Sequence, residues 1–336
     1  MPASKEQAIH FLETQWSSIN ENKIKGILAE VAFKKYLVDN RVHFLPGGWI
    51  LVPGKAGENV PVPSLQKICL LPLEHRFSWA AAVTNSMTSG PTPAAISAYN
   101  YFRQLGVTTY FLIPDNVEET SFSVPKKSST GVSAKYPRPY ELIFKTIGPT
   151  GNFETIEFGK VMENFPKRKG NIGMRCNTLG RINPDDFPWN NAEVVQGLFW
   201  FEYARYYCQV DYQVSNNDLD MFLIGNSGSP YPVELKSKVP ARDDNLGEWF
   251  GLDIGPFAKM AFFTSNSMNT DALYVVQEVD DQRNHMEWYA IKFTELVRAC
   301  SWVFQSGGTG MMGGASSTIK VPKAAFSPLS TLLQRL

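Results

Sequence analysis

The chain has 336 residues and 37.7 kDa, room for one large domain or two ordinary ones at about 100 to 200 residues each. With 43% hydrophobic, 13% aromatic and 19% charged residues it falls in the globular range, which excludes a disordered, collagen-like or coiled-coil chain. Lys and Arg number 32, as do Asp and Glu, so no global charge announces a polyanionic partner and any nucleic-acid footprint must be local.

The first strong helical pattern covers 23–38, where Ile24, Ile27, Leu28, Val31, Leu37 and Val38 recur near helical spacing on a charged background. Extended segments follow at 42–52 and 68–73, then a helix at 94–105 and strands at 108–113 and 140–147. A second long helix is predicted over 192–208, ending before the polar run from Asp211 to Asn217. Strands at 219–224 and 231–236 flank Gly225-Asn226-Ser227-Gly228-Ser229-Pro230, whose glycines suit a hairpin turn. A helix near 257–264 and strands at 272–279 and 287–293 complete the pattern, and 305–317 has the composition of a flexible loop. The succession is that of an α/β protein.

Charge is unevenly spread along this order. Residues 120–181 hold 11 Lys/Arg against 4 Asp/Glu, a net of +7, whereas 182–281 hold 5 against 16, a net of −11. The basic runs, Lys126-Lys127 through Arg138 and Pro166 to Arg175, are rich in Gly, Pro and Ser and read as loops. Lys126, Lys127, Lys167, Arg168, Lys169 and Arg175 are the candidates for phosphate contact, with solubilising loop charge as the alternative.

Cys69, Cys176, Cys208 and Cys300 contain no C-x-x-C pair and read as reduced core thiols; the four histidines never fall at i, i+4. No basic n-region followed by an apolar run opens the chain, and the uncharged stretch from Phe77 to Phe102 is too interrupted for a membrane span, so a cytoplasmic protein is expected. Trp49, Trp79, Trp189, Trp200 and Trp249 are expected mostly in the core. Gly307 to Gly314 lack the G-K-[ST] of a phosphate loop.

Side-chain alternation carries the chemistry. On the strand around Pro232 to Lys238, Val233, Leu235 and Ser237 share one face and Glu234, Lys236 and Lys238 the other. Antiparallel pairing with the preceding strand brings Asp220 near Glu234 and Lys236. Two carboxylates and a backbone carbonyl, that of Leu235, offer the hard oxygen ligands Mg²⁺ prefers and leave positions for water and phosphate. An ammonium beside metal-bound water favours hydroxide and stabilises a pentacovalent phosphate, so the set suits phosphodiester hydrolysis. Asp218 competes with Asp220 for the first acid; Asp220 is preferred because an apolar run follows it directly, whereas Asp218 is expected in an Asn-rich turn.

This segment resembles the PD-(D/E)XK nuclease superfamily over about residues 192–300, with Asp220 as the first acid and Glu234-Leu235-Lys236 as its E-x-K; Leu219 replaces the frequent proline. The resemblance implies a restriction-endonuclease-like mixed sheet flanked by helices in the C-terminal half, Mg²⁺ as cofactor, and Glu202 in GLFWFEYARYY as the glutamate of the preceding helix. Upstream, Gly26 to Glu30 on a helix, then Leu73-Glu74-His75-Arg76, another helix and two strands repeat the order. No aspartate lies between Val42 and Leu73, and Arg76 replaces the lysine, so metal binding by this segment is not expected; ordinary α/β packing is the leading reading of the N-terminal α/β domain, and a degenerate nuclease copy kept for DNA recognition or dimerisation is the alternative.

The expected organisation is a recognition or dimerisation domain over 1–150, a basic linker over 151–190 and a catalytic domain over 191–336. The activity implied is Mg²⁺-dependent hydrolysis of double-stranded DNA by a homodimer, as in a Type II restriction endonuclease. A repair or phage-defence nuclease of the same fold is the nearer rival, and a non-catalytic DNA-binding or assembly protein the farther one.

Overall fold

The computed structural model describes residues 4–14, 21–54, 67–73, 90–114, 141–168, 187–265, 270–302, 304–306 and 317–336. In chain order the first elements are α1 (Lys5–Thr14), α2 (Glu21–Asp39), β1 (Phe44–Pro53), β2 (Ile68–Pro72), α3 (Pro93–Gln104), β3 (Thr108–Pro114), β4 (Leu142–Ile147), β5 (Phe153–Ile156) and α4 (Phe158–Val161). There follow α5 (Ala192–Gln209), β6 (Val214–Ile224), β7 (Pro230–Lys238), β8 (Ala241–Asp243), β9 (Gly247–Asp253) and α6 (Ile254–Thr264). The chain continues through β10 (Leu273–Val279), β11 (His285–Lys292), α7 (Phe293–Ala299), β12 (Phe304–Ser306), β13 (Ser317–Pro322), β14 (Ser327–Pro328) and α8 (Leu329–Leu333). The chain is α/β, as its pattern predicts.

Two compact units form, one from 1–32, 48–92 and 107–218, the other from 33–47, 93–106 and 219–336. They interleave along the chain and do not follow the linear division at 150 and 190. α5, expected with the C-terminal domain, groups with the first unit; α3, expected with the N-terminal one, groups with the second.

In the first unit β1 and β2 pair antiparallel, β2 and β3 parallel, and β3 and β4 antiparallel, with β5 beyond β4. The core gathers around α5, whose Val194, Leu198, Phe199, Tyr203, Tyr207 and Cys208 are buried on more than one side. A helix so apolar around its circumference is stable only when enclosed. Phe11 on α1 packs edge-on against Phe199, Tyr203 and Tyr206, with centroids 5.4, 5.3 and 5.9 Å away. Asn191 caps α5, its Oδ1 accepting the N–H groups of Glu193 and Val194 at 3.1 and 3.2 Å.

The second unit repeats that pairing sense: β6 with β7 antiparallel, β7 with β10 parallel, β10 with β11 antiparallel, and β14 on the far edge of β11. A parallel pair needs a crossover, and α6 lies within the one between β7 and β10. A smaller sheet in the order β12-β13-β9-β8 completes this unit. Tyr101 on α3 donates its hydroxyl to the Phe263 carbonyl at the end of α6, 2.5 Å away, and its ring meets Phe222 of β6 edge-on.

Two expectations need correction. The polar run ending at Asn217 is not a turn beyond α5; from Val214 it belongs to β6, with Asn217 and Asp218 exposed and Val214 and Leu219 buried. Strand pairing uses backbone groups, so polar side chains are tolerated wherever they face water. On α2, Leu28 is 39% and Val38 57% exposed, whereas Phe33, absent from the expected stripe, is fully buried. Cys69, Cys208 and Cys300 are buried free thiols, as expected; Cys176 and Trp79 lie outside the described residues. Trp49 and Trp200 are buried, while Trp189 and Trp249 are partly exposed. Among the described residues, no helix is long and apolar enough to cross a membrane.

Candidate active site

The β6–β7 hairpin closes through Gly225 to Ser229. The Gly228 N–H donates to the Gly225 carbonyl at 2.8 Å, and Gly228 adopts a φ of +79° that favours glycine. This turn sets the register, with Met221 opposite Val233 and Ile224 opposite Pro230. The backbone pairing ends at Met221 and Val233, and the next residue, Asp220, meets β7 through its side chain. Asp220 Oδ2 accepts the Leu235 N–H at 2.7 Å, which fixes Asp220 rather than exposed Asp218 as the acid at Glu234. The N–H and carbonyl of one strand residue leave on the same edge, so the Leu235 carbonyl shares the side on which Asp220 sits.

Alternation on β7 then does what the sequence predicts. Lys236 follows Glu234 on the same face, and its Nζ lies 2.6 Å from Glu234 Oε1. The other oxygen, Oε2, lies 2.6 Å from Nζ of Lys259, on α6. Glu234 is almost fully enclosed, at 2% exposure. Tyr274 stands across from it on β10 and donates its hydroxyl to the Gly251 carbonyl at 2.8 Å.

Two carboxylates and two ammoniums leave this cluster formally neutral, and the groups respond differently to the shared burial. Desolvation pushes the Asp220 carboxyl above its ordinary range, and the charge of Glu234 adds to the rise. For Glu234 desolvation acts in the same direction, but Lys236 and Lys259 outweigh it and hold the carboxyl below its usual range. Burial works against the charged form of Lys236, yet Glu234 and Asp220 raise it well above the ordinary lysine value. Lys259 behaves in the same way. Lys238, two residues further on, is pulled down by burial, with Asp253 opposing and Lys236 and Arg283 adding to the fall.

The donor types suit a hard divalent cation: Asp220 and Glu234 come from adjacent strands, the main-chain carbonyl of Leu235 could add a third oxygen, and Lys236 stands beside Glu234. The convergence comprises two acids, since no group of three or more His, Cys, Asp or Glu side chains gathers among the described residues. Such an ion would meet Lys259 at Glu234, because that ammonium already holds Oε2.

Glu202 is placed differently. It belongs to the first unit, whereas Asp220, Glu234 and Lys236 belong to the second. Its Oε1 receives Nζ of Lys23 at 2.5 Å, with Glu202 only 2% exposed and the Lys23 ammonium 4.7 Å from the Phe201 ring centroid. This buried ion pair joins α5 to α2.

Of the proposed DNA-contacting residues, Lys126, Lys127, Lys169 and Arg175 lie outside the described residues, as do Glu74, His75 and Arg76. Lys167 is exposed. Arg168 is not a free loop charge: its Nε donates to the Gln209 carbonyl at 2.9 Å, and its N–H to the Asp211 carbonyl at 2.8 Å. A cation on the last carbonyls of α5 is a favourable C-terminal cap.

Sequence reasoning missed Lys259 and Gly47. Lys259 interrupts the otherwise apolar Phe257-Ala258 and Met260-Ala261-Phe262-Phe263, and a charge in such a run calls for a partner. Gly47 lies within β1, where a Cβ would stand 1.7 Å from the Leu219 carbonyl oxygen and 2.4 Å from the carbonyl carbon of Asp220. Only glycine lets the two backbones approach so closely, and the Gly-Gly pair inside an extended segment was the available signal. A scan against protein-family models and searches of curated proteins and of solved structures found no significant match to this chain, so any functional assignment rests on the residues themselves.

Proposed function

We propose that the protein is a Mg²⁺-dependent endodeoxyribonuclease of the PD-(D/E)XK type that hydrolyses double-stranded DNA as a homodimer, a Type II restriction endonuclease being the simplest form. The observation that carries this reading is the meeting of Asp220, Glu234 and Lys236 at adjacent strands, with the Leu235 N–H fixing the first acid. The pairing sense from β6 to β11, with α6 in the crossover, supports the fold assignment. In the first unit the corresponding strand, β2, reads Ile-Cys-Leu-Leu-Pro with no acid, which favours a copy that has lost its metal.

When bound, Mg²⁺ would supply electrophilic assistance to the phosphate and a lowered pKa for the attacking water. Asp220, Glu234 and the Leu235 carbonyl would hold it. Lys236, kept protonated by its neighbours, contributes a fixed positive charge where negative charge gathers on phosphate oxygens. Two such sites related by a two-fold axis suit cuts on antiparallel strands, which is the reason for a homodimer.

The opposing reading, a non-catalytic DNA-binding or assembly protein, draws on the same Glu234, whose two oxygens each already meet an ammonium. Digestion of unmodified phage DNA with and without Mg²⁺, followed by sequencing of fragment ends, separates them. Discrete Mg²⁺-dependent fragments with a common end sequence support the restriction reading. Ends without common sequence favour a repair or defence nuclease, and no turnover leaves the non-catalytic reading standing.

A further inference from the structure

Lys259 belongs to this centre by geometry and to no part of the E-x-K motif. It reaches Glu234 from α6, while Asp220, Glu234 and Lys236 come from β6 and β7. Its side chain is 16% exposed, against 31% for Lys236, so it is the more enclosed of the two cations. The two lysines divide the carboxylate, one ammonium to each oxygen, both at 2.6 Å.

Charge counting shows what the second ammonium does. Two-metal phosphodiesterase sites hold their ions about 3.5 to 4 Å apart and clamp the attacking and leaving oxygens between them. Such a pair needs more anionic ligands than Asp220 and Glu234, and no third acid or imidazole joins them among the described residues. With one divalent ion, two lysines and two carboxylates, the protein side carries +2, which balances a doubly charged pentacovalent phosphate. A second divalent ion would leave the centre over-charged. A metal ion that binds Glu234 through Oε2 displaces Lys259, which frees that ammonium for a phosphate oxygen.

We propose that the Lys259 ammonium stands in the place of a second divalent cation, so that the centre takes one divalent ion and this ion competes with Lys259 for Glu234 Oε2. The role toward phosphate rests on the nuclease reading; the competition for Oε2 does not.

The test uses the full-length protein stripped with EDTA and titrated with Mn²⁺ alone, free ion being followed by electron paramagnetic resonance and heat by calorimetry. Wild type is expected to bind one Mn²⁺ per chain. Lys259→Met should bind one ion at least tenfold more tightly, Lys259→Arg should match wild type, and Lys238→Met should change affinity less than threefold. The last variant controls for general loss of positive charge. Two ions or none in wild type overturns the proposal, as does unchanged or weaker affinity in Lys259→Met. If Lys259→Met fails to fold by circular dichroism, Lys259→Gln is read on the same criterion; if both fail, the wild-type stoichiometry decides alone. Plasmid cleavage in Mg²⁺ is scored separately. Tighter Mn²⁺ binding in Lys259→Met with no cleavage by wild type overturns the nuclease reading and keeps the competition for Glu234 Oε2, whereas cleavage by wild type without tightening in Lys259→Met does the reverse.

Discussion

The two carboxylates of the centre should act on stability in opposite directions, and this can be measured without any substrate. Replacing Glu234 by Gln preserves shape but removes the charge that both Lys236 and Lys259 face at 2.6 Å. Breaking a buried ion pair by deleting one partner typically costs about 3 to 5 kcal/mol, because the remaining charge stays enclosed. Here two ammoniums lose their direct partner, and the partial exposure of Lys236 tempers the loss on that side. For a cooperative unit of roughly 150 residues this amounts to a fall in Tm of roughly 6 to 20 °C. Asp220→Asn should hold or raise the Tm, because burial and Glu234 already disfavour the Asp220 carboxylate, and Asn retains an oxygen that can accept the Leu235 N–H. The assay is thermal unfolding in EDTA at neutral pH, with Glu234→Gln combined with Lys259→Met as a third protein. That pair should recover part of the loss, since it removes one of the two stranded cations. A Tm loss in Asp220→Asn equal to that in Glu234→Gln would falsify the proposed distribution of charge, whatever either variant does to DNA.

Other expectations follow from the same geometry. Asp220→Ala and Glu234→Ala should abolish Mg²⁺-dependent cleavage while DNA binding persists in a gel-shift assay; cleavage at the wild-type rate in either removes the site. Lys236→Ala should lose far more turnover than Lys238→Ala, although both share one face of β7, because Lys236 alone of the two pairs with Glu234; equal losses would mean that proximity to the acids is not what matters. Gly47→Ala should cost about 1 to 3 kcal/mol in urea unfolding by forcing the Leu219–Asp220 backbone aside, and wild-type stability would show that the approach relaxes freely. Asp280 accepts the Gln282 and Asn284 N–H groups and the Asn284 side-chain amide, and the Asn284 contacts hold its carboxyl below the ordinary value. Its contribution is present above the unfolded-state value of about 3.9 and fades as pH falls through the lower folded value, so the Tm gap between wild type and Asp280→Ala should close on acidification.

Much of the fold was legible because its elements carry strong periodic signals. Helices α2, α3 and α5 and strands β1 to β4, β7, β10 and β11 fall within a few residues of their expected positions. What escaped was short or depended on packing. α1 carries its period in only three buried apolar positions, Ala8, Phe11 and Leu12, and the burial of Phe11 makes sense only once Phe199 and Tyr203 stand beside it. In the smaller sheet β12-β13-β9-β8, β8 and β12 have three residues each, and Ala241–Asp243 with its charged side chains reads as loop. At the site, alternation along β7 placed Glu234 and Lys236 together correctly, since a strand's period is fixed at two. Glu202 was harder: a glutamate on a buried aromatic helix must have a partner, but only tertiary packing reveals that Lys23 supplies it. Lys259 was invisible for a related reason, its partner lying 25 positions away in sequence on a separate element.

The interleaving of the two units has a kinetic consequence. Tyr101 and the carbonyl that receives its hydroxyl are 162 residues apart in sequence, so α3 leaves the ribosome long before its place against α6 exists. Until then its buried side, which includes Ala95, Ala98, Tyr101 and Phe102, has no permanent cover. Folding of the second unit therefore waits on nearly the whole chain, a high-contact-order route in which an apolar helix is exposed to wrong partners during synthesis. A fragment cut at residue 150 separates α3 from the strands it packs on, so separately expressed halves should aggregate, and recovery should improve only when both are made together.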